Sequence, residues 1–210
     1  MMDAVLTALA EAPVIPVITL NDADNAVPLA EALMKGGLRV LEITLRTDAA
    51  LESIRRIAQA YPDVVVAAGT VLTPQDFDEA VEAGASLVIS PGATPALLSA
   101  ASTAKIPFMP GVATASEAMV AAGYGFKYLK FFPAGASGGV DALKGFAGPL
   151  GSLRFCPTGG VNKENMADYL ALKNVIAVGG SWMVPTALID EGRFEEITAL
   201  AQDAVAGAGR

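Results

Sequence analysis

The chain has 210 residues, 53% hydrophobic and 17% charged, a balance that supports a sizeable core and excludes disorder. Its net charge of −8, without a basic run, argues against nucleic acid and anionic membrane surfaces as partners, so an anionic ligand would need a local positive site. The single cysteine, Cys156, rules out an internal disulfide, and with no histidine present any acid–base chemistry falls to carboxylates, lysine, tyrosine or that thiol.

The opening residues Met1-Met2-Asp3-Ala4 lack a basic n-region, so no secretory signal is expected. Asp3–Glu11 reads as an extra helix ahead of the main pattern. From there, short apolar runs alternate with amphipathic ones. The apolar runs predict strands at Val14–Thr19, Arg39–Leu45, Val64–Thr70, Ser86–Ser90, Pro107–Val112, Tyr128–Phe132, Arg154–Thr158 and Val175–Val178. Helical patterns between them include Ala23–Lys35, Ala49–Ala60, Pro74–Ala83, Pro95–Ser102, Ser116–Ala122 and Lys163–Leu172. Thr73-Pro74, Thr94-Pro95 and Asn162-Lys163 are cap-like starts, and Gly36-Gly37, Gly84 and Gly123 read as helix C-caps. Ala83–Ala104 is uncharged and long enough to suggest a membrane span, but Gly84, Pro91, Gly92 and Pro95 break it into strand, turn and helix start.

Eight β/α units recurring about every 20–25 residues, with no linker, predict one α/β domain over residues 1–210. The expected architecture is a single (β/α)₈ TIM barrel with an extra N-terminal helix. The alternative is an open doubly wound sheet, against which stands the lack of a Gly-x-Gly-x-x-Gly fingerprint after the first strand.

In a parallel barrel both strand faces are buried, and the C-terminal strand ends carry the active site. Along Val40–Arg46, alternation puts Leu41, Ile43 and Leu45 on one face and Glu42, Thr44 and Arg46 on the other, which would be the barrel interior and its upper rim. A buried ion pair with no catalytic part is the competing explanation for such charges. The same parity places Tyr128, Lys130 and Phe132 inward. Lys130 lies mid-run between aromatics, where burial penalises the charged amine and favours nucleophilic chemistry, unless the side chain snorkels out. A reactive lysine with a carboxylate partner points to Schiff-base chemistry on a carbonyl substrate. Gly69 would let a ligand approach the backbone and Thr70 would donate to an oxyanion, although Gly-Thr at a strand end is more often a turn. Ser90-Pro91-Gly92 is a tight strand exit, or a pocket wall if the barrel closes. Gly159-Gly160 and Gly179-Gly180-Ser181 follow the seventh and eighth predicted strands, where barrels bind phosphate, two ordinary turns being the alternative. With no histidine and no carboxylate cluster at ligand spacing, no metal is expected.

These residues carry a resemblance. Leu41-Glu42-Ile43-Thr44-Leu45-Arg46-Thr47, Ala68-Gly69-Thr70-Val71-Leu72, Ser90-Pro91-Gly92, Leu129-Lys130-Phe131-Phe132-Pro133-Ala134, Phe155-Cys156-Pro157-Thr158-Gly159-Gly160 and Gly179-Gly180-Ser181-Trp182 resemble the 2-keto-3-deoxy-6-phosphogluconate aldolase family. The resemblance implies a cytoplasmic, usually trimeric, cofactor-free class I aldolase of the Entner–Doudoroff pathway, which splits a phosphorylated keto acid into pyruvate and glyceraldehyde 3-phosphate. It implies the Schiff base on Lys130, acid–base chemistry on Glu42, and the substrate carboxylate on Arg46 and Thr70. Gly159, Gly160, Gly180 and Ser181 correspond to the phosphate site, and Pro91 and Phe132 to substrate contacts. Thr158 matches the threonine of gluconate-selective members, where galactonate-type relatives tend to be apolar; a threonine that merely packs is the alternative. The galactonate-configured aldolase is the nearest rival, and 4-hydroxy-2-oxoglutarate cleavage an expected side activity. One departure is Gly135, where many relatives carry glutamate.

Overall fold

The computed structural model describes residues 2–209. In chain order the elements are α1 (Met2–Glu11), β1 (Val14–Ile18), a 3₁₀ turn (Ala23–Asn25), α2 (Ala26–Lys35), β2 (Val40–Thr44), α3 (Ala50–Ala60), β3 (Val65–Gly69), α4 (Pro74–Glu82), β4 (Leu87–Ile89) and α5 (Pro95–Thr103). There follow β5 (Phe108–Met109), β6 (Gly111–Val112), α6 (Ala115–Gly123), β7 (Tyr128–Phe131), α7 (Gly139–Ala147), β8 (Arg154–Pro157), α8 (Met166–Leu170), β9 (Val178–Gly180), α9 (Thr186–Asp190) and α10 (Phe194–Gly207). All strand pairs are parallel. Six strands form a curled sheet in the order β5-β4-β3-β2-β1-β9, and three form a second in the order β6-β7-β8. Isolated bridges join Phe155 to Val175 and Thr158 to Gly179. The larger sheet pairs the first strand with the last and otherwise runs in chain order, without the reversal of a doubly wound sheet.

Strand parity sorts the core into two clusters. Outward residues such as Ile18, Leu41, Ile43, Val66, Ala68, Val88, Leu129 and Phe131 pack with helix residues such as Leu29, Ile54, Phe77 and Leu97. Inward residues Ile15, Val40, Val65, Ala67, Leu87, Ile89, Met109 and Cys156 form a separate cluster, and among the described residues α1 is the one helix that joins it, through Val5 and Leu9. Val40, Val65 and Leu87 are the first residues of their strands, so α1 covers the N-terminal end of the interior. The opposite end is left for polar groups.

Several expectations are corrected. The predicted strand Pro107–Val112 is split into β5 and β6 at Pro110, whose nitrogen carries no hydrogen for the ladder; its carbonyl still accepts from Lys130 N at 2.9 Å. The predicted eighth strand Val175–Val178 is displaced to Val178–Gly180, so Gly179 and Gly180 lie in β9, paired with Ile15 and Pro16, and do not follow it. Asn162-Lys163 does not open a helix. The Asn162 side chain accepts from the backbone of Glu164 and Asn165, forming a local turn, and α8 begins at Met166. Gly123 lies inside α6, and Gly125, with φ of 94°, takes the left-handed position beyond it. Helix α7, over Gly139–Ala147, is a further helix between the sixth and seventh predicted strands.

The starts at Thr73 and Thr94 hold: each hydroxyl accepts from the N–H three residues on, and Thr73 with Asp76 completes a capping box. The uncharged stretch Ala83–Ala104 is divided between β4, a turn and α5, and no described helix is long and apolar enough to cross a membrane.

Candidate active site

Lys130 and Glu42 reach each other from opposite sides of the interior. β2 and β7 belong to different sheets, yet Lys130 Nζ donates to Glu42 Oε1 at 2.8 Å. Glu42 is 2% exposed and Lys130 4%, so solvent does little to screen the pair. Lys130 stands beside Gly111 on one neighbouring strand and Cys156 on the other. The ammonium also lies 5.5 Å from the centroid of the Phe132 ring, a cation–π distance. The lysine therefore does not snorkel away from its strand.

Glu42 fits because its neighbours are small. It pairs with Val17 and Ala67, and its side chain lies across Gly69. Thr44, two residues on, donates its hydroxyl to Ile18 O at 2.8 Å and lies 3.2 Å from the Thr19 hydroxyl. Arg46 is exposed at the rim, and its Nε donates to Thr70 Oγ1 at 3.2 Å. Thr70 has φ of 61°, the one positive φ outside glycine among the described residues. Such strain is held where the surroundings over-determine it, and it collects at functional sites.

Thr158 is buried at the end of β8, beside Gly179, where a Cβ would overlap the threonine hydroxyl. Gly159 and Gly160 follow with φ of 87° and 82°, a left-handed pair that favours glycine. Their turn is fixed from two sides: Gly135 N donates to Gly159 O and Asn165 Nδ2 to Gly160 O, both at 2.9 Å. A Cβ on Gly135 would stand 3.5 Å from this turn, an ordinary van der Waals contact. Gly180 carries the Trp182 ring directly over it.

These groups surround a cavity of about 170 Å³ lined by Lys130, Arg46, Phe132, Thr158, the segment from Gly159 to Val161, Gly180, Ser181 and Val17. Of the expected residues, Glu42 lies behind Lys130 and Thr70 touches the site through Arg46. Pro91 is not among the lining residues; its backbone packs against Gly111. Val17 and Val161 line the cavity without having been expected. Inward parity from Ile15 was the available sign for Val17, and Val161 carried none beyond adjacency to the glycine pair. Among the described residues, no three His, Cys, Asp or Glu side chains gather closely enough to hold a metal ion.

The chain is similar to known proteins in sequence and in fold. The family described as KDPG and KHG aldolase is matched over residues 5–200. The 2-dehydro-3-deoxy-phosphogluconate aldolase of Dickeya dadantii is 54% identical over 206 residues, covering 98% of this chain and 95% of that protein. A crystal structure of KDPG aldolase from Legionella pneumophila, with pyruvate captured at low pH as a covalent carbinolamine, has a TM-score of 0.93 at 46% identity and covers 95% of this chain and 97% of that one. The 2-keto-3-deoxy-6-phosphogluconate aldolase of Zymomonas mobilis with 3-phosphoglycerate has a TM-score of 0.90 at 44% identity, covering 98% and 96%. The chain belongs to the KDPG and KHG aldolase family and is an enzyme of the lyase class, an aldolase.

The interior position of Cys156 sets its reactivity. Burial pushes its thiol up to about 12; the Lys130 charge opposes this and the Glu42 charge adds to it. The raised value keeps the folded protein's thiol protonated at pH 8, whereas an exposed cysteine ionises near 8.5. An aromatic disulfide reagent at pH 8 is expected to leave the native thiol unmodified and to titrate one thiol per chain after denaturation. Rapid labelling of the native enzyme would contradict this burial.

Proposed function

We propose that the enzyme cleaves 2-keto-3-deoxy-6-phosphogluconate reversibly to pyruvate and glyceraldehyde 3-phosphate, through a Schiff base on Lys130 with Glu42 as the acid–base group. The observation that carries this reading is the buried Nζ–Oε1 contact of 2.8 Å, with Lys130 at the wall of a cavity that also holds Arg46, Thr158 and the glycine turn. Glu42 is the recorded hydrogen-bond partner of Lys130, so a proton leaving the amine has an acceptor in place. The neutral amine attacks the C2 ketone to give a carbinolamine, whose hydroxyl takes the proton held by Glu42 and leaves as water, forming an iminium ion. Glu42, directly or through a water, takes the C4 hydroxyl proton as the C3–C4 bond breaks. The aldehyde leaves, and the bonding pair becomes the enamine at C2–C3. Protonation at C3 and addition of water return pyruvate and free Lys130.

Arg46 and Thr70 bind the substrate carboxylate, as a guanidinium matches its two oxygens and the strained Thr70 backbone fixes the hydroxyl partner. The turn at Gly159 and Gly160, with Gly180 and Ser181, takes the phosphate, whose binding orients the reacting carbons. Phe132 walls the site beside the lysine, and Thr158 sets the preference for the gluconate epimer. The family description supports 4-hydroxy-2-oxoglutarate as a second substrate.

The strands suit a closed eight-stranded (β/α)₈ barrel in one domain over residues 1–210, of which the first and last lie outside the described residues. Two features favour closure: β5 and β6 flank a single proline, and two bridges link β8 and the residue after it to β9 and the segment before β9. A cytoplasmic homotrimer is proposed from the family resemblance. Sedimentation equilibrium is expected to return three chain masses; a monomer at micromolar concentration would refute the trimer.

Treatment with pyruvate and borohydride should give one reduced adduct, located by mass spectrometry at Lys130 and absent from Lys130→Ala. In Glu42→Gln trapping should persist, while cleavage slows by about 10²–10⁴, the range for a general acid–base group. An adduct at Lys127, or normal turnover in Glu42→Gln, would defeat the assignment. Steady-state kinetics on the unphosphorylated substrate should show a heavy loss in kcat/KM. The ratio between C4 epimers should narrow in Thr158→Val, by about 1–3 kcal/mol of discrimination. Equal efficiency without phosphate, or an unmoved epimer ratio, would remove those two roles.

A further inference from the structure

The inner face of β3 tapers toward the site. Its inward residues are Val65, Ala67 and Gly69, each smaller than the last. Glu42 pairs with Ala67, while Gly69 pairs with Thr44, two residues nearer the C-terminal edge. The Glu42 side chain does not stay level with its own strand position. It leans so that its Cγ, Cδ and Oε1 lie over Gly69.

The three heavy atoms nearest to a Cβ built on Gly69 all belong to Glu42: Oε1, Cγ at 2.7 Å and Cδ at 2.8 Å. Real Cβ atoms do not tolerate such approaches. Backbone conformation supplies no other reason for glycine, because Gly69 is absent from the positive-φ positions, whereas the next residue, Thr70, carries that strain. Nor can the β3 backbone easily retreat from an added methyl. Gly69 O accepts from Leu45 N at 2.8 Å, and the residue is locked in the β2–β3 register. The added atom would therefore displace the carboxylate.

We infer that Gly69 is a positioning residue: its missing side chain is the space through which the Glu42 carboxylate reaches Lys130. This rests on the acid–base role proposed for Glu42. A 1 Å misplacement of a catalytic group costs about 10²-fold in rate, and an alanine here displaces the carboxylate by at least that order.

The test is a double-mutant cycle between Gly69→Ala and Glu42→Asp, read on kcat for cleavage, with pyruvate–borohydride trapping at Lys130 as the control for an intact barrel. Gly69→Ala alone is expected to lower kcat by about 10–10²-fold with KM little changed. Aspartate is one methylene shorter and leaves room for the added methyl, so in the Glu42→Asp background the same alanine should cost less than about threefold, a coupling well beyond the additivity of independent sites. Equal fold-losses in the two backgrounds, or an unchanged kcat in Gly69→Ala, would overturn the inference. If Gly69→Ala is too unstable to assay, the comparison moves to thermal midpoints. The alanine's loss must then shrink in the aspartate background, and an equal loss overturns the inference. Failure of the underlying reading shows differently: Glu42→Asp and Glu42→Gln would both turn over at the normal rate, whatever residue 69 is.

Discussion

The hydrogen-bonded pair between Lys130 and Glu42 is the constraint around which the rest of the molecule is arranged. Two opposite charges, each nearly excluded from water, cost several kcal/mol apiece in lost solvation, and their mutual attraction offsets this only when the geometry is good. A hydrophobic pair would pack at least as well. The ionic pair demands that β2 and β7 face each other at a set separation, and that nothing bulky lie between them. Phe132, Gly69 and the cavity beyond are what that demand leaves room for.

Two separate cores meet the demand. The outer one, between strands and helices, is dense with Leu, Ile and Phe and holds the sheet in its curl. The inner one is smaller and is closed at the N-terminal end of the strands by Val5 and Leu9 of α1. Apolar packing at one end of the interior fixes strand positions, and polar groups at the other end inherit that rigidity. Loops at the polar end are tied to one another: Ala134 N donates to Thr158 O at 2.8 Å and Gly135 N to Gly159 O at 2.9 Å, so the loop after the lysine strand holds the glycine turn. A site held by rigid strands and crossed loops needs little rearrangement to receive a ligand.

Glycine behaves differently at different points of this site, which explains most of what strand periodicity misjudged. Gly159 and Gly160 are turn residues by conformation. Gly69, Gly179 and Gly180 are strand residues whose missing side chains admit Glu42, Thr158 and the Trp182 ring. In a one-dimensional reading both kinds look like strand ends, so periodicity puts β9 too early and leaves its glycines in the loop beyond. Pro110 misled in the opposite way, as an apolar neighbour inside an apolar run that nevertheless interrupts the ladder. Asn162 satisfied a local turn where it resembled a helix cap.

Local patterns along the chain settle the alternation of strands and helices, the inward parity of Glu42 and Lys130, and the family to which the chain belongs. These follow from local facts, since periodicity and side-chain type act over a few residues. The tertiary structure alone decided that Glu42 and Lys130, 88 positions apart, share a hydrogen bond. It also brought Val17 and Val161 to the cavity wall, left Pro91 outside the lining, and gave Gly69 a steric reason to be glycine. Contacts between strands distant in the chain depend on how the sheet curls, and curl is set by the summed packing of both cores, which no short stretch of residues encodes.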